Sequence, residues 1–221
     1  MLLRQLSLFV TAALFAGSVL ANPPTFQPNV NAINPNIIPA APQVAASSFI
    51  VMDAFSGKVI VEENADQRLD PASLTKMMTS YVADYELRQG NIRLDEEVLI
   101  STNAWAQNFA GSSLMFLQSG KTVSVENLLK GVTISSGNDA TVALAEHIAG
   151  SEHAFVDIMN QHAKLLGMTN THFANPHGLS FDNHYTSARD MAILAQAKIL
   201  HFPEEYKIYA ENEFLYNGIR Q

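Results

Sequence analysis

The chain has 221 residues, with 21 acidic against 13 basic side chains, a formal net charge of −8 and no cysteine. This balance argues against nucleic acid or an acidic surface as partner, and against a polybasic membrane patch, since like charges repel. The absence of cysteine rules out a disulfide framework and agrees with an oxidising compartment without demanding one.

Residues 1–21 read as an export leader. Arg4 is the only early charge, Leu6 to Leu20 is an apolar run with small residues, and Val19-Leu20-Ala21 fits a cleavage site before Asn22. The run is short against the ~20 residues of a membrane span, so an uncleaved anchor is the weaker reading. A periplasmic location is the expectation. Residues 22–47 hold six of the nine prolines among Asn, Ala and Gln, and show no period of 2 or 3.6. They predict an extended linker. Residues 48–221 are enough for one domain with its own core.

That domain opens with two β-rich runs, Ser48 to Met52 and Lys58 to Val61, around the turn residues Asp53 to Gly57. A helix is predicted next, with Asp70 as cap, Pro71 at its first position and Gly90 as its stop. Leu74, Met77, Met78, Tyr81, Val82 and Tyr85 give it an apolar stripe. Ser73 and Lys76, three apart, share one face. A hydroxyl beside an amine is what acyl transfer without histidine needs: the neutral amine takes the serine proton and the alkoxide attacks a carbonyl. A lysine of ordinary pKa, about 10.4, is neutral only about once in a few thousand at pH 7, so burial or a helix start must depress it. From spacing alone a surface pair is the commoner reading.

Glu97 to Ser101 reads as a short strand, Ala104 to Leu117 as irregular, and Ser124 to Val132 as a helix. The polar loop Thr133 to Asp139 then lies between that helix and another, Ala140 to Ala149. Ser136 offers a second hydroxyl there, and Asn138 an amide that both donates and accepts. The competing reading is a helix cap. Ser101-Thr102-Asn103 repeats the Ser-x-Asn spacing without a buried helix before it. Further helices are predicted from Ser151 to Leu166 and from Thr186 to His201, separated by the turn-rich Thr171 to Leu179. The tail from Tyr206 to Gln221 predicts a strand entering a sheet. All seven histidines fall between His147 and His201. His177, His184 and Asp190 were the mixed ligands to weigh, but no pair has metal-binding spacing, so no metal and no cofactor are expected.

Together, Ser73-x-x-Lys76 and Ser136-x-Asn138 resemble the penicillin-recognising serine enzymes. Asp70 to Thr79, Ser135 to Ala140, Asn175 to Leu179 and Phe214 to Gln221 resemble, within that group, the low-molecular-mass penicillin-binding proteins, the peptidase S11-like D-alanyl-D-alanine carboxypeptidases. The resemblance covers Ser48 to Gln221. It implies an α+β transpeptidase-like fold, in which an antiparallel sheet represented by its first strands packs on a helical region. Peptidoglycan stem peptides would be substrates and β-lactam antibiotics ligands. By the same resemblance Ser73 is the nucleophile and Lys76 the base. Ser136 relays a proton to the leaving D-alanine, and Asn138 holds the substrate amide and helps orient Lys76. The Ser73 N–H is one oxyanion donor. Ser136 is expected to face Ser73 and Lys76 across a cleft; Lys130, Asp139 and Arg189 lie near these motifs with no role assigned.

The family's Lys-Thr-Gly motif, which binds the terminal carboxylate, is not among these residues; Gly120-Lys121-Thr122 has the wrong order and position. Nor are its later β-rich domain and C-terminal anchor, so inner-membrane association is expected only of a longer form. The alternative expectation is therefore a truncated, inactive chain with weak cell-wall peptide binding. A serine β-lactamase fits less well, because no glutamate stands between Asn170 and His184.

Overall fold

The structure is a computed structural model that describes residue 41 and residues 43–221. The leader and most of the proline-rich stretch lie outside the described residues. Strands β1 (Phe49–Met52) and β2 (Val59–Glu63) form the opening antiparallel hairpin, with Val51 opposite Val61. Helix α1 (Thr75–Gln89) follows. Strands β3 (Glu97–Leu99) and β4 (Thr122–Ser124) pair antiparallel. Four helices come next: α2 (Val125–Thr133), α3 (Asn138–Ala149), α4 (Glu152–Leu166) and α5 (Ala188–His201). A 3-10 segment, Glu205–Ala210, leads to the small hairpin of β5 (Leu215–Tyr216) and β6 (Ile219–Arg220).

The α+β class and the antiparallel pairing agree with the sequence, but the described strands form three separate two-stranded ladders. Thr122 to Ser124 is β4, so Ser124, read as the start of a helix, ends a strand and caps α2. The tail forms its own hairpin through Asn217-Gly218, both in the left-handed region that such a turn needs. Three of the helices are capped by serine side chains. Ser124, Ser151 and Ser187 each accept a backbone N–H from three residues on.

The start of α1 differs from the sequence reading. Asp70 does accept the Ala72 N–H, but what it caps is a 3-10 turn, Ala72–Leu74, and the α-helix begins only at Thr75. Ala72 sits at φ +46°, which a helix starting at Pro71 forbids.

Two apolar clusters hold the domain. One joins β3, β4, α2 and α3 through Val98, Ile100, Val123, Leu128 and Leu144. The other joins α1, α4 and α5 through Met78, Val82, Phe155, Met159 and Leu194. Helix α1 lies between them and is buried on more than its stripe. Thr75, Lys76, Thr79, Ser80 and Asp84 are buried, while Leu74 and Tyr85 are exposed. A central helix that buries polar groups must give each a partner, and those partners build the candidate site.

Candidate active site

The 3-10 turn and first turn of α1 carry Ser73 and Lys76. Lys76 is 5% exposed, and its Nζ donates to the Ser73 Oγ at 3.3 Å and to the His177 carbonyl at 2.6 Å. No carboxylate touches it among the described residues. Burial lowers the Lys76 pKa to about 8, and the field of Asp139 opposes this. The sequence pairing of hydroxyl and amine is thus a physical contact.

The polar loop before α3 is equally constrained. Ser136 takes a left-handed conformation, φ +54°. Gly137 is the N-cap residue of α3 and makes no side-chain cap bond; its carbonyl accepts from Thr141 Oγ1 at 2.7 Å. Neither Ser136 nor Asn138 caps the helix, so the capping alternative does not describe them. Asp139, fully buried, accepts the backbone N–H groups of Met115 and Leu117 at 2.8 Å each, and that of Ala140 at 2.9 Å. It splices the 112–117 segment to the loop. A Cβ on Gly137 would stand 2.9 Å from both the Met115 N and the Asp139 Oδ1, so this approach requires glycine.

The structure brings Ser73 and Lys76 into direct contact. Asn138 Nδ2 donates to Ser112 Oγ at 2.9 Å, and the His177 carbonyl is the second partner of the Lys76 amine. Ser136 heads α3, which packs on α1, but no hydrogen bond of its hydroxyl is recorded among the described residues. The Ser101 copy is a structural turn. Its Oγ accepts the Asn103 and Ala104 N–H groups and donates to Glu146 of α3.

The sequence offers His177 and His184 only as weak metal ligands, and gives the rest of the 175–184 segment no role beyond the resemblance of Asn175 to Leu179. The structure lays it across the start of α1. Thr79 Oγ1 donates to the Pro176 carbonyl at 2.6 Å, and Ser180 Oγ donates to Asp70 at 2.7 Å. Gly178, at φ +90°, lies so close to Ala72 that a Cβ would be 1.9 Å from its carbonyl oxygen. His184 Nδ1 accepts the Ala174 N–H at 2.9 Å, which puts the ring proton on Nε2, facing Thr75 Oγ1 at 2.8 Å. Burial holds that ring below the usual histidine range. With both nitrogens used, His184 has no lone pair for a metal. Among the described residues no three His, Asp or Glu side chains stand together as a metal site. The clue in the sequence was weak: Asn-Pro-His-Gly marks a turn but says nothing of what it touches.

The other charges near the motifs are braces. Arg189 bonds Asp66 and Glu62 beside β2, and Lys130 pairs with Glu126 and Glu211.

The D-alanyl-D-alanine carboxypeptidase (peptidase S11) family model matches residues 36–221. D-alanyl-D-alanine carboxypeptidase DacA of Escherichia coli K12 is 52% identical over 188 residues, covering 84% of this chain and 47% of that protein. DacC of the same strain is 52% identical over 184 residues, covering 82% and 46%. The crystal structure of penicillin binding protein 5 from Haemophilus influenzae shares 50% identity at a TM-score of 0.81, over 82% of this chain and 53% of that one. The chain thus spans about half the length of these relatives. Its described residues have the fold of the penicillin-binding transpeptidases. A contiguous Ser73–Lys76 pair, the family match over nearly all of the described domain and this structural likeness agree: the chain belongs to the peptidase S11 family of D-alanyl-D-alanine carboxypeptidases.

Proposed function

We propose that this chain carries the acylating half of a serine D-alanyl-D-alanine carboxypeptidase that trims the terminal D-alanine from peptidoglycan stem peptides. One observation supports this above the rest. Lys76 is a buried amine with no carboxylate in contact, and it lies 3.3 Å from the Ser73 hydroxyl. In its neutral form the Lys76 lone pair accepts the Ser73 proton. The alkoxide then attacks the carbonyl carbon of the D-Ala–D-Ala peptide bond. The tetrahedral oxyanion leans on the Ser73 backbone N–H. Its collapse breaks the C–N bond, and the leaving nitrogen takes a proton relayed through the Ser136 hydroxyl. Asn138 holds the substrate amide. Water then hydrolyses the acyl-enzyme. A β-lactam enters the same way, and its opened ring stays on Ser73.

Residues 1–21 serve as an export leader and residues 22–47 as a linker, which places the domain in the periplasm. Among the described residues no helix is long and apolar enough to cross a membrane.

The test is intact-mass measurement after exposure to excess benzylpenicillin, with Ser73→Ala as control. A single adduct that vanishes in the control is expected. No adduct on folded protein would overturn the reading for this chain and leave acylation to longer members of the family.

A further inference from the structure

Asn175 belongs to none of the groups given a chemical role, yet it is 5% exposed and both ends of its amide are used. Its Oδ1 accepts the Gly178 N–H at 2.7 Å, and its Nδ2 donates to the Leu179 carbonyl at 2.8 Å. These two bonds staple the ends of one tight turn. Inside the turn is His177, whose carbonyl receives the Lys76 amine at 2.6 Å. The outside of the turn is pinned as well. Thr79 holds the Pro176 carbonyl, Ala72 packs on Gly178, and the His177 ring accepts the Leu179 N–H at 3.1 Å while facing Glu152 of α4 at 3.6 Å.

We infer that Asn175 is a positioning residue for the acylation reaction: its carboxamide closes the turn that presents the His177 carbonyl to Lys76 and keeps water from the amine. A neutral amine has two hydrogens and one lone pair. Directing one hydrogen at a fixed carbonyl limits where the lone pair points, and Ser73 Oγ is the other neighbour. Without the staple the carbonyl swings away and water enters. Since burial is the largest cause of the low Lys76 pKa, hydration moves it back up. The ionisable groups around this centre are Asp139 on α3, Asp70 before the 3-10 turn, His177 and His184 on the covering segment, and Glu152 on α4.

The catalytic consequence rests on the acylation reading; the clamp itself does not, so it is tested by titrating Lys76 directly. Competitive acetylation with acetic anhydride across pH, read on the Lys76 peptide by mass spectrometry, gives the midpoint without any turnover. In the full chain that midpoint is expected near 8. In Asn175→Ala it is expected to rise by a unit or more, and penicillin acylation at pH 7 to fall about tenfold per unit. An unchanged midpoint in folded Asn175→Ala overturns the inference. If that variant does not fold, Asn175→Gln, which displaces both ends of the amide without adding a charge, and Thr79→Val carry the test: a raised midpoint in either supports the clamp, and none in both overturns it. A clamp-dependent midpoint with no penicillin adduct on the parent chain would sink only the acylation reading.

Discussion

Two lysines are buried against the same helix, and they have opposite fates. Lys76 meets a hydroxyl and a carbonyl, and burial leaves its amine titrating at about 8. Lys198, from α5, is 2% exposed and lies against Asp84, two helical turns further along α1 from Lys76; it also donates to Ser80 Oγ at 3.0 Å. Burial opposes both charges of that pair, lowering the Lys198 pKa and pushing the Asp84 carboxyl up to about 6. In contact they remain an ion pair at neutral pH. Burial by itself therefore does not make a base. The lysine that touches a carboxylate becomes a tie between helices, and the one denied a carboxylate is free to exchange its proton.

The contrast is broken most sharply by Lys76→Met. Penicillin acylation should fall by at least about 10⁴-fold, the scale seen when one member of a catalytic unit is removed, as read from the rate of adduct formation. The same variant should be more stable than the parent, because the buried amine is a cost. The sign follows from the pKa. Between about 8 and 10.5 the unfolded chain binds more protons at this lysine than the native one, so parent stability rises with pH there. The advantage of Lys76→Met in urea denaturation is then largest, up to about 3 kcal/mol, below pH 8, and fades towards pH 10.5.

Asp84→Ala should behave in the opposite way. It strands the Lys198 ammonium in the interior and should cost about 3–5 kcal/mol of unfolding free energy, while Asp84→Leu with Lys198→Met should regain most of that loss. Equal stability of the single and double variants would mean that the pair is not coupled. Smaller in scale, acylation by the parent should rise about tenfold per unit from pH 6 and level off above about 8, as the amine loses its proton. A flat profile would show that Lys76 is not the titrating base. The smallest effect is a control away from both lysines. Ser187→Ala removes the α5 cap and should lower stability by about 1 kcal/mol without moving the acylation profile.

How much of this was legible in the sequence depends on the range of the interaction. Ser73 and Lys76 are three residues apart, so their contact follows from a helical turn, and the serines at their starts place α2 and α4 by local chemistry. The start of α1 differs because Asp70-Pro71 suits a 3-10 turn as well as an α-helix, and the local sequence carries no sign of the close approach of Gly178 to Ala72 from across the fold. The apolar stripe of α1 located Met78 and Val82 but not Thr79, Ser80 or Asp84, since a polar residue in a pattern counts as surface unless its distant partner is known. Asp139 stayed unassigned for the same reason: its bonds run to Met115 and Leu117, more than twenty residues earlier. The Ser73–Lys76 contact is a local fact; the orientation of the Lys76 amine is a long-range one.

The close approach of Gly178 to Ala72 also sets an order of events in the life of the chain. Ribosomes deliver the polypeptide from its N-terminus, so Ser73 and Lys76 emerge about a hundred residues before the His177 carbonyl that completes their surroundings. Until then the helix start is wet, its lysine keeps an ordinary affinity for protons and its serine is an unremarkable alcohol. The acylation proposed for Ser73 therefore waits on the covering segment, and a nascent chain that lacks the glycine turn is expected to be inert towards β-lactams.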